Sequence, residues 1–365
     1  MQFINIANEG VKTLAPYQAG KPIEELEREL GISNIVKLAS NENPFGFPES
    51  AKQAILKQLN DLTRYPDANG FELKATIAKK FGVQPNQITL GNGSNDLLEL
   101  FAHTFASDKD EIIYSQYAFI VYPLVTKAIN AVAREIPAKD WGHDLSAFEQ
   151  AINDKTKLIY IANPNNPTGN FLSQQEIERF LDKVPVNVIV VLDEAYTEFT
   201  DPAERLDSFA LVQKYPNLIV SRSLSKAYGL AGLRIGYAVS HPEIADLLNR
   251  VRQPFNCNSL ALAAAIAVMQ DDDFIAKVAE NNRNEMQRYE AFFEANQLEY
   301  IPSKGNFITV DLKQPAQPIY QALLHEGVIV RPIAGYGMPN HLRISLGLPE
   351  ENDRFFNALT KVLKK

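Results

Sequence analysis

The chain has 365 residues, and its 36 lysines and arginines against 44 aspartates and glutamates give a formal net charge of −8. This length allows more than one domain and a large buried core. The acidic balance and the lack of a basic run argue against a nucleic acid or a membrane surface as partner.

The N-terminal segment and the cysteine and histidine residues narrow the class of protein further. Residues 1–10 are polar and lack the layout of a signal peptide, and the most apolar stretch, Leu260 to Met269, is too short to span a bilayer. Cys257 is the only cysteine, and the five histidines are scattered, which excludes an intrachain disulfide and argues against a zinc site. We expect a cytoplasmic enzyme without a catalytic metal.

Apolar runs and helical patterns alternate through the first two thirds of the chain. Pro16–Leu38 predicts a helix between turns, and Asn41–Pro48, with two prolines and a glycine, predicts a loop. The predicted strands are Gln87–Leu90, Glu111–Tyr114, Ala131–Ile136, Leu158–Ala162, Val186–Leu192 and Leu218–Val220, and the predicted helices between them include Asp96–Phe105, Phe119–Ala128 and Gln174–Leu181. This alternation predicts an α/β domain with a mostly parallel central sheet flanked by helices, whose ligands bind beyond the carboxyl ends of the strands.

The last third predicts a smaller α+β domain. Asp273–Ala295 has a long helical pattern, and Phe307–Leu312, Val328–Arg331 and Leu342–Ser345 are predicted strands. We expect three parts: an N-terminal arm (residues 1–45) that packs on the small domain and a partner subunit, a large domain (residues 46–255) and a C-terminal domain (residues 256–365).

The run from Ser221 to Arg234 carries the strongest chemical signal. Lys226 follows Ser223 and Ser225 and precedes Arg234 by eight residues. A lysine acts covalently only as a neutral amine, and hydroxyls with an arginine suit a bound phosphate monoester. An aldehyde cofactor that carries a phosphate, pyridoxal 5′-phosphate, needs both features. An exposed lysine on a serine-rich loop is the plainer alternative.

A second interpretation of the same residues is the Ser-x-x-Lys pattern of penicillin-binding serine acyltransferases. Ser223 to Lys226 fits that pattern. The partner tripeptides of such enzymes, Ser-Asp-Asn and Lys-Thr-Gly, do not occur in the chain, which leaves this interpretation little support.

Two further motifs follow predicted strands. Asp193 ends an apolar run, and a carboxylate there can keep a pyridine nitrogen protonated, unless it only caps a helix. Tyr196 and Asn166, the latter in the rigid turn Asn163–Gly169, can hydrogen-bond a ring oxygen. Both motifs suit the same cofactor.

A glycine-rich turn, Gly91–Asp96, lies between a predicted strand and a predicted helix. Backbone amides at a helix N-terminus bind anions, so this turn can hold a phosphate. A dinucleotide fingerprint requires a third glycine where the chain has Asp96, which weakens a nicotinamide interpretation.

Aromatic and arginine residues complete the candidate site. Tyr117 lies between a predicted strand and a predicted helix, where a ring can stack on a flat cofactor, although buried aromatics usually only pack. The same two alternatives apply to Tyr65. Arg331 and Arg343 close two predicted C-terminal strands and can bind an anionic substrate, although surface arginines are commoner.

Together these motifs resemble the fold-type I pyridoxal-phosphate aminotransferases of class I/II. The strongest matches are NPNNPTG (163–169), DEAY (193–196) and SLSKAYGLAGLR (223–234). The ends of the chain, with LAPYQAGKP (14–22), ASNENP (39–44), RYP (64–66) and LRIS (342–345), are similar to the histidinol-phosphate aminotransferase subgroup.

The resemblance implies a role for each matching position. Lys226 would carry the cofactor covalently and transfer the proton, Asp193 would pair with the pyridine nitrogen, and Asn166 and Tyr196 would bind the ring oxygen. Tyr117 would stack on the ring, and the phosphate would be held by Ser94, Asn95, Ser223, Ser225 and Arg234, with Tyr65 reaching it from the neighbouring subunit of a homodimer. Arg343 and Arg331 would bind the substrate anion, and Tyr17 would line the side-chain pocket. Relatives often have an acid at the position of Asn95, whereas in this chain the acid is the next residue, Asp96.

The implied reaction transfers an amino group from glutamate to imidazole-acetol phosphate, which gives 2-oxoglutarate and histidinol phosphate. An aromatic amino acid aminotransferase is the closest rival, because the same pocket can hold a flat ring. A decarboxylase of phosphorylated amino acids and a non-catalytic cofactor-binding regulator are weaker candidates. No DNA-binding extension is visible, which disfavours the regulator.

Overall fold

The N-terminal segment runs across both domains of the protein. The computed structural model describes residues 2–16 and 20–364. The first elements are helix α1 (Glu9–Lys12), helix α2 (Ile23–Leu30) and strand β1 (Val36–Lys37). Gly31, with φ of +64°, ends α2 in the left-handed conformation that glycine adopts freely. Near α1, the side chain of Asn8 donates to the carbonyl of Ala128, which attaches this part to the large domain.

The large domain alternates strands with helices. Its elements are α3 (Glu49–Gln58), α4 (Phe71–Phe81), β2 (Ile88–Gly91), α5 (Ser94–Phe105), β3 (Glu111–Ser115), α6 (Val121–Ala128), β4 (Val132–Ile136), α7 (Leu145–Ala151), β5 (Thr156–Ala162), α8 (Gln174–Leu181), β6 (Ile189–Asp193), α9 (Ser208–Lys214), β7 (Leu218–Ser223), β8 (Gly236–Val239), α10 (Pro242–Val251) and α11 (Ser259–Met269). Within residues 2–16 and 20–364 the strands form one seven-stranded sheet, in the order β2-β8-β7-β6-β5-β3-β4.

Both faces of this sheet are buried under helices. Neighbours from β7 to β4 are parallel, and β8 is antiparallel to β7 and β2. Successive residues of the central strands alternate between two apolar clusters. Ile113 and Val190 lie in one cluster, and Ile112 and Val191 lie in the other. A strand with both faces covered must be apolar at nearly every position, which explains the continuous apolar runs in the sequence.

The small domain is built on an antiparallel sheet. Its elements are α12 (Asp272–Ala295), β9 (Glu299–Ile301), β10 (Phe307–Asp311), α13 (Ala316–His325), β11 (Val328–Ile329), β12 (Arg331–Pro332), β13 (His341–Ser345) and α14 (Pro349–Leu363). Across the described residues, four of its strands pair antiparallel in the order β12-β13-β10-β9, and β11 pairs in parallel with β1 of the N-terminal segment. The segment is thus part of both domains.

The predicted α/β class with a mostly parallel central sheet is confirmed, and the helix Gln174–Leu181 has the predicted bounds. Strand β8 was not predicted, because it is short and begins with a glycine. The predicted strand Val328–Arg331 is wrong in its continuity: β11 pairs with β1, whereas β12 pairs with β13. Arg331 therefore begins a strand rather than ending one, and Arg343 lies in the middle of β13.

The packing also bears on the expected domain boundaries. Side chains of α11 such as Ala261 and Val268 lie in an apolar cluster of the large domain. Helix α11 therefore packs with the large domain, and the expected boundary at residue 255 stays a prediction. Among the described residues, no helix combines the length and apolarity that a membrane crossing requires.

Candidate active site

A cavity of about 280 Å³ lies where the large domain, the small domain and the N-terminal segment meet. The carboxyl ends of β5, β6 and β7 open into it, as expected for a parallel sheet. Its lining includes Gly20, Ser40, Asn41, Ser94, Asn95, Phe119, Asn166, Asp193, Tyr196, Ser223, Ser225, Lys226, Arg234, Arg331, Tyr336 and Arg343. Most of the predicted site residues are therefore together, although they come from distant parts of the chain.

Asp193 is a buried carboxylate at the end of β6. One oxygen, Oδ2, accepts a hydrogen bond from Tyr122 at 2.8 Å, and Oδ1 has no hydrogen-bond partner among residues 2–16 and 20–364. Burial raises the pKa of Asp193 to about 6, and the bond from Tyr122 opposes this rise. A buried acceptor without a partner is unfavourable, so this oxygen is suited to receive a proton donor from a bound molecule.

Tyr122 is fixed by its own surroundings. Its ring stacks on Tyr160 with 4.6 Å between the centroids, and the hydroxyl of Tyr160 donates to the carbonyl of Leu98 at 2.6 Å. Both tyrosines are fully buried. Asp193 is therefore held in a rigid environment, and its free oxygen has a defined direction.

Tyr196, Asn166 and Arg343 form a chain of hydrogen bonds across the cavity. Arg343 Nη1 donates to Asn166 Oδ1 at 2.6 Å, and Asn166 Nδ2 donates to the hydroxyl oxygen of Tyr196 at 3.2 Å. Burial raises the pKa of Tyr196 to about 12, so its hydroxyl stays protonated at neutral pH. The Nη2 atom of Arg343 donates to the carbonyl of Ala39 at 2.8 Å, which joins β13 to the N-terminal segment.

Lys226 lies in the turn after β7 and is half-buried. Its Nζ donates to the carbonyl of Ser40 at 3.1 Å and lies 5.7 Å from the centroid of the Tyr196 ring. Burial and, to a smaller extent, the positive charges of Arg343 and Arg234 lower the pKa of Lys226 to about 8, against the opposing effect of Glu42. A substantial fraction of this amine is neutral in mildly alkaline solution, as a nucleophile or base requires.

The N-terminus of α5 and the arginine after Lys226 form a cationic cradle. Helix α5 begins at Ser94, and its N-cap, Gly93, offers no side chain to the free amides. Arg234, with φ of +57°, donates to Ser225 Oγ at 3.3 Å. A Cβ on Gly93 would lie 2.4 Å from Nη2 of Arg234, so the guanidinium occupies the space that a side chain would fill. Ser223 Oγ accepts from the amide of Ser225 at 3.1 Å.

Two predicted tyrosines, Tyr117 and Tyr65, are not part of the cavity lining within the described chain. Tyr117 has φ of +55°, and its ring lies 5.3 Å from that of Trp141, while Phe119 lines the cavity instead. Tyr65 is 82 % exposed and stacks on Phe255. Tyr17 lies outside the described residues.

Three residues at the site were not predicted. Asn41 donates to the Tyr196 hydroxyl oxygen at 3.0 Å, Tyr122 holds Asp193, and Phe119 lines the cavity. Asn41 stands between other polar residues of a predicted loop, where no periodicity marks it. Tyr122 lies one turn after the predicted start of its helix. In the sequence, only its short distance from the end of the preceding strand indicates that it lies near the site.

The fold and the site together place the chain among the α/β transferases that use pyridoxal phosphate. A family model described as aminotransferase class I and II matches residues 33–359, and the chain belongs to this family. It is thus an enzyme of the transaminase class.

Relatives that match over the full length of the chain include two histidinol-phosphate aminotransferases. It is 84 % identical, over 100 % of both chains, to "Histidinol-phosphate aminotransferase 2" of Haemophilus influenzae (strain 86-028NP). It is 76 % identical to "Histidinol-phosphate aminotransferase 1" of Mannheimia succiniciproducens, over 100 % of this chain and 99 % of the relative. The crystal structure of histidinol-phosphate aminotransferase from Sinorhizobium meliloti, in complex with pyridoxal-5′-phosphate, is similar with a TM-score of 0.88 and 28 % identity, over 98 % of this chain and 97 % of that chain.

The residues of the cavity fit pyridoxal phosphate. The unpartnered Oδ1 of Asp193 suits a protonated ring nitrogen, and the amide of Asn166 beside the hydroxyl of Tyr196 suits a ring oxygen. The open N-terminus of α5 and the guanidinium of Arg234 suit a phosphate dianion. Lys226 is the amine within the cavity.

Proposed function

We propose that the enzyme exchanges an amino group between histidinol phosphate and imidazole-acetol phosphate in the cytoplasm, with glutamate and 2-oxoglutarate as the other pair, as a step of histidine biosynthesis. The observation that carries this proposal is that Arg343 and Arg331 line the cavity that also contains Lys226. An arginine fork matches a carboxylate and a phosphate alike, so one cavity can accept both substrates in turn. The names of the full-length relatives support the phosphate-bearing substrate.

Bound pyridoxal phosphate would supply a protonated ring that accepts electrons from the substrate carbon. In our proposal, Lys226 Nζ holds the cofactor covalently and Asp193 Oδ1 accepts the hydrogen of the ring nitrogen. The raised pKa of Asp193 lowers its preference for ionisation, and a cationic partner at Oδ1 would restore the carboxylate. Asn166 and Tyr196 donate to the ring oxygen.

The phosphate end is proposed to lie in the cationic cradle. The amides of Ser94 and Asn95 at the start of α5 and the hydroxyls of Ser223 and Ser225 would donate to its oxygens, and Arg234 would balance its charge. Phe119, which lines the cavity, and Tyr117, two residues before it, are the proposed stacking partners for one face of the ring. The ring is thereby held at both ends and on one face.

Proton transfer is proposed to depend on Lys226. Once the substrate's amino group has replaced Nζ on the cofactor, the free amine of Lys226 would take the proton from the substrate carbon at Nζ. Burial and the nearby Arg343 keep this amine partly neutral near pH 8, so it can act as a base without a separate activating group. Arg343, fixed by its bonds to Asn166 and Ala39, would hold the substrate anion close to Nζ.

We further propose a homodimer in which Tyr65 reaches the neighbouring cofactor phosphate. Tyr65 is exposed, and the exposed apolar side chains of Leu59 and Leu62 precede it in the chain. Exposed apolar residues grouped in this way are typical of a subunit interface. Sedimentation analysis of the active enzyme tests the arrangement, since an active monomer would exclude it.

The substrate choice is tested by comparing kcat/KM for histidinol phosphate, histidinol and phenylalanine as amino donors to 2-oxoglutarate. Histidinol is the matched control, because it lacks only the phosphate. We expect a loss of about a hundredfold or more without the phosphate, since the positive charge that Arg343 presents in the cavity then meets no anion. A preference for phenylalanine would identify an aromatic aminotransferase, and release of carbon dioxide from a phosphorylated amino acid would identify a decarboxylase. Bound cofactor without any turnover would indicate a regulator.

A further inference from the structure

Asn41 lies at the junction of the two domains and has an unusual conformation for a buried residue. It is 1 % exposed, and its φ is +55°. A non-glycine residue in the left-handed region is uncommon and persists only where the surrounding structure holds it, although asparagine tolerates this region better than most. The contacts of Asn41 show what holds it.

Each polar group of Asn41 has a partner. Its amide N–H donates to Ser345 Oγ at 2.7 Å, and Ser345 Oγ donates to Asn41 Oδ1 at 2.9 Å. Its carbonyl accepts from Asn306 Nδ2 at 3.0 Å, and its Nδ2 donates to the hydroxyl oxygen of Tyr196 at 3.0 Å. Two partners, Ser345 and Asn306, belong to the small domain, and the third, Tyr196, belongs to the large domain. Asn41 thus connects both domains at the residue that is proposed to bind the ring oxygen of the cofactor.

These bonds fix which way each amide points. Ser345 Oγ receives the backbone N–H of Asn41, so its own hydrogen is available for Asn41 Oδ1, and Asn41 Nδ2 turns toward Tyr196. On the other side, Arg343 has no acceptor and donates to Asn166 Oδ1, so Asn166 Nδ2 also turns toward Tyr196. The hydroxyl oxygen of Tyr196 therefore accepts two hydrogen bonds.

A phenol oxygen with both acceptor positions occupied has one remaining role, which is to donate its hydrogen. The two residues that orient the amides of Asn166 and Asn41 lie on the same strand. Arg343 and Ser345 are two residues apart on β13, so their side chains lie on the same face. One strand thus presents both the substrate-binding arginine and the serine that orients Asn41.

We infer that Asn41 is a positioning residue that makes Tyr196 an obligatory hydrogen-bond donor toward the ring oxygen of the cofactor. This inference rests on the proposed binding of pyridoxal phosphate. Asn41 has no role at the reacting carbon or at Lys226, and it acts only through the direction of the Tyr196 hydroxyl.

Asn41→Asp is the sharpest test, because it keeps the shape and the tolerance of positive φ but replaces the donor with a carboxylate. The Tyr196 hydroxyl would then donate to residue 41 and leave the ring oxygen. Asn41→Gly keeps the backbone and removes the amide. The matched control is Asn34→Asp, because Asn34 is exposed and has φ of +65°.

The measurement is the pH titration of the visible absorbance of the bound cofactor, with the melting temperature of the cofactor-free protein as a check of folding. Loss of a donor to the ring oxygen stabilises the protonated chromophore, so the titration midpoint of Asn41→Asp should rise by about one pH unit or more. Asn41→Gly should shift it less, and Asn34→Asp should leave it unchanged. Equal shifts in the Asp and Gly variants, or none in either, would overturn the inference.

If Asn41→Asp does not fold, Asn41→Gly tests the inference instead. Asn41→Gly should raise the midpoint when Tyr196 is present and have no further effect when Tyr196 is replaced by phenylalanine. An equal shift in both backgrounds would show that Asn41 acts without Tyr196 and would overturn the inference. A wild-type protein that develops no visible band with pyridoxal phosphate would overturn the proposed function as well.

Discussion

Replacement of Asp193 by asparagine should make the cofactor-free protein more stable near neutral pH while it severely slows turnover. Burial raises the pKa of Asp193 from its ordinary value of 3.8 to about 6, because the charged carboxylate loses its water and the hydrogen bond from Tyr122 restores only part of that loss. A rise of this size corresponds to about 3 kcal/mol of folding free energy that the ionised carboxylate costs the cofactor-free protein.

The pH window of this effect follows from the raised pKa. Between about pH 4 and pH 6 the folded carboxyl keeps its proton while the unfolded one has lost it, so the folded state binds more protons. The free energy of unfolding therefore falls as the pH rises through this window. Asparagine has no charge, so the stability of Asp193→Asn relative to wild type should grow by about 3 kcal/mol between pH 4 and pH 8.

Urea unfolding of both cofactor-free proteins across this pH range measures the difference. Asp108→Asn, at an exposed position, is the control for loss of one negative charge. With cofactor bound, Asp193→Asn should be less stable than the wild type, because the ring nitrogen loses its ionic partner. The first half-reaction of this variant should slow by about two orders of magnitude or more. A difference in stability that stays constant from pH 4 to pH 8 would refute the reasoning, as would unchanged single-turnover rates.

Four more predictions concern Lys226, the cationic cradle and the substrate arginine. Lys226→Ala should abolish both the visible absorbance of bound cofactor and transamination, and retained turnover would remove its proposed role. In the wild type, the rate at which cofactor attaches should rise with pH up to about 8 and then level off, because burial lowers the pKa of Lys226 to about 8 and only the neutral amine reacts; a rate that is flat from pH 6 to pH 9 would contradict this. Gly93→Ala should weaken cofactor binding by about tenfold or more in a fluorescence titration, since φ is +86° and the new Cβ would displace Arg234, whereas Gly232→Ala, where a Cβ meets open space, should bind normally. Arg343→Lys should raise KM for the anionic substrate more than it weakens cofactor binding, because a point charge cannot replace the fork; equal losses in both would argue against a substrate role.

The central sheet and the meeting of the main site residues at its edge could be predicted from the sequence, because both follow from the order of the strands. Apolar runs marked the buried strands, and parallel strands bring their carboxyl ends to one edge. Asp193 ends such a strand, and Asn166 and Lys226 follow one closely, so their meeting in one cavity depends on little beyond the sheet itself.

The remaining features depend on tertiary contacts that leave no local pattern. Asn41 is defined by bonds to Ser345 and Tyr196, which are far away in the sequence, and nothing in its own loop distinguishes it from its polar neighbours. The turn after β3 shows a second limit. Tyr117 has φ of +55° and its ring lies 5.3 Å from that of Trp141, while Phe119 lines the cavity, and the sequence does not distinguish these two aromatic residues.

Mass spectrometry after borohydride reduction tests the central claim most directly. The cofactor-loaded protein is reduced and digested, and the peptides are searched for a pyridoxyl group. We predict one reduced adduct, on the peptide that contains Lys226, together with loss of the visible band. An adduct on a different lysine, or a colourless protein without any adduct, would contradict the proposed chemistry.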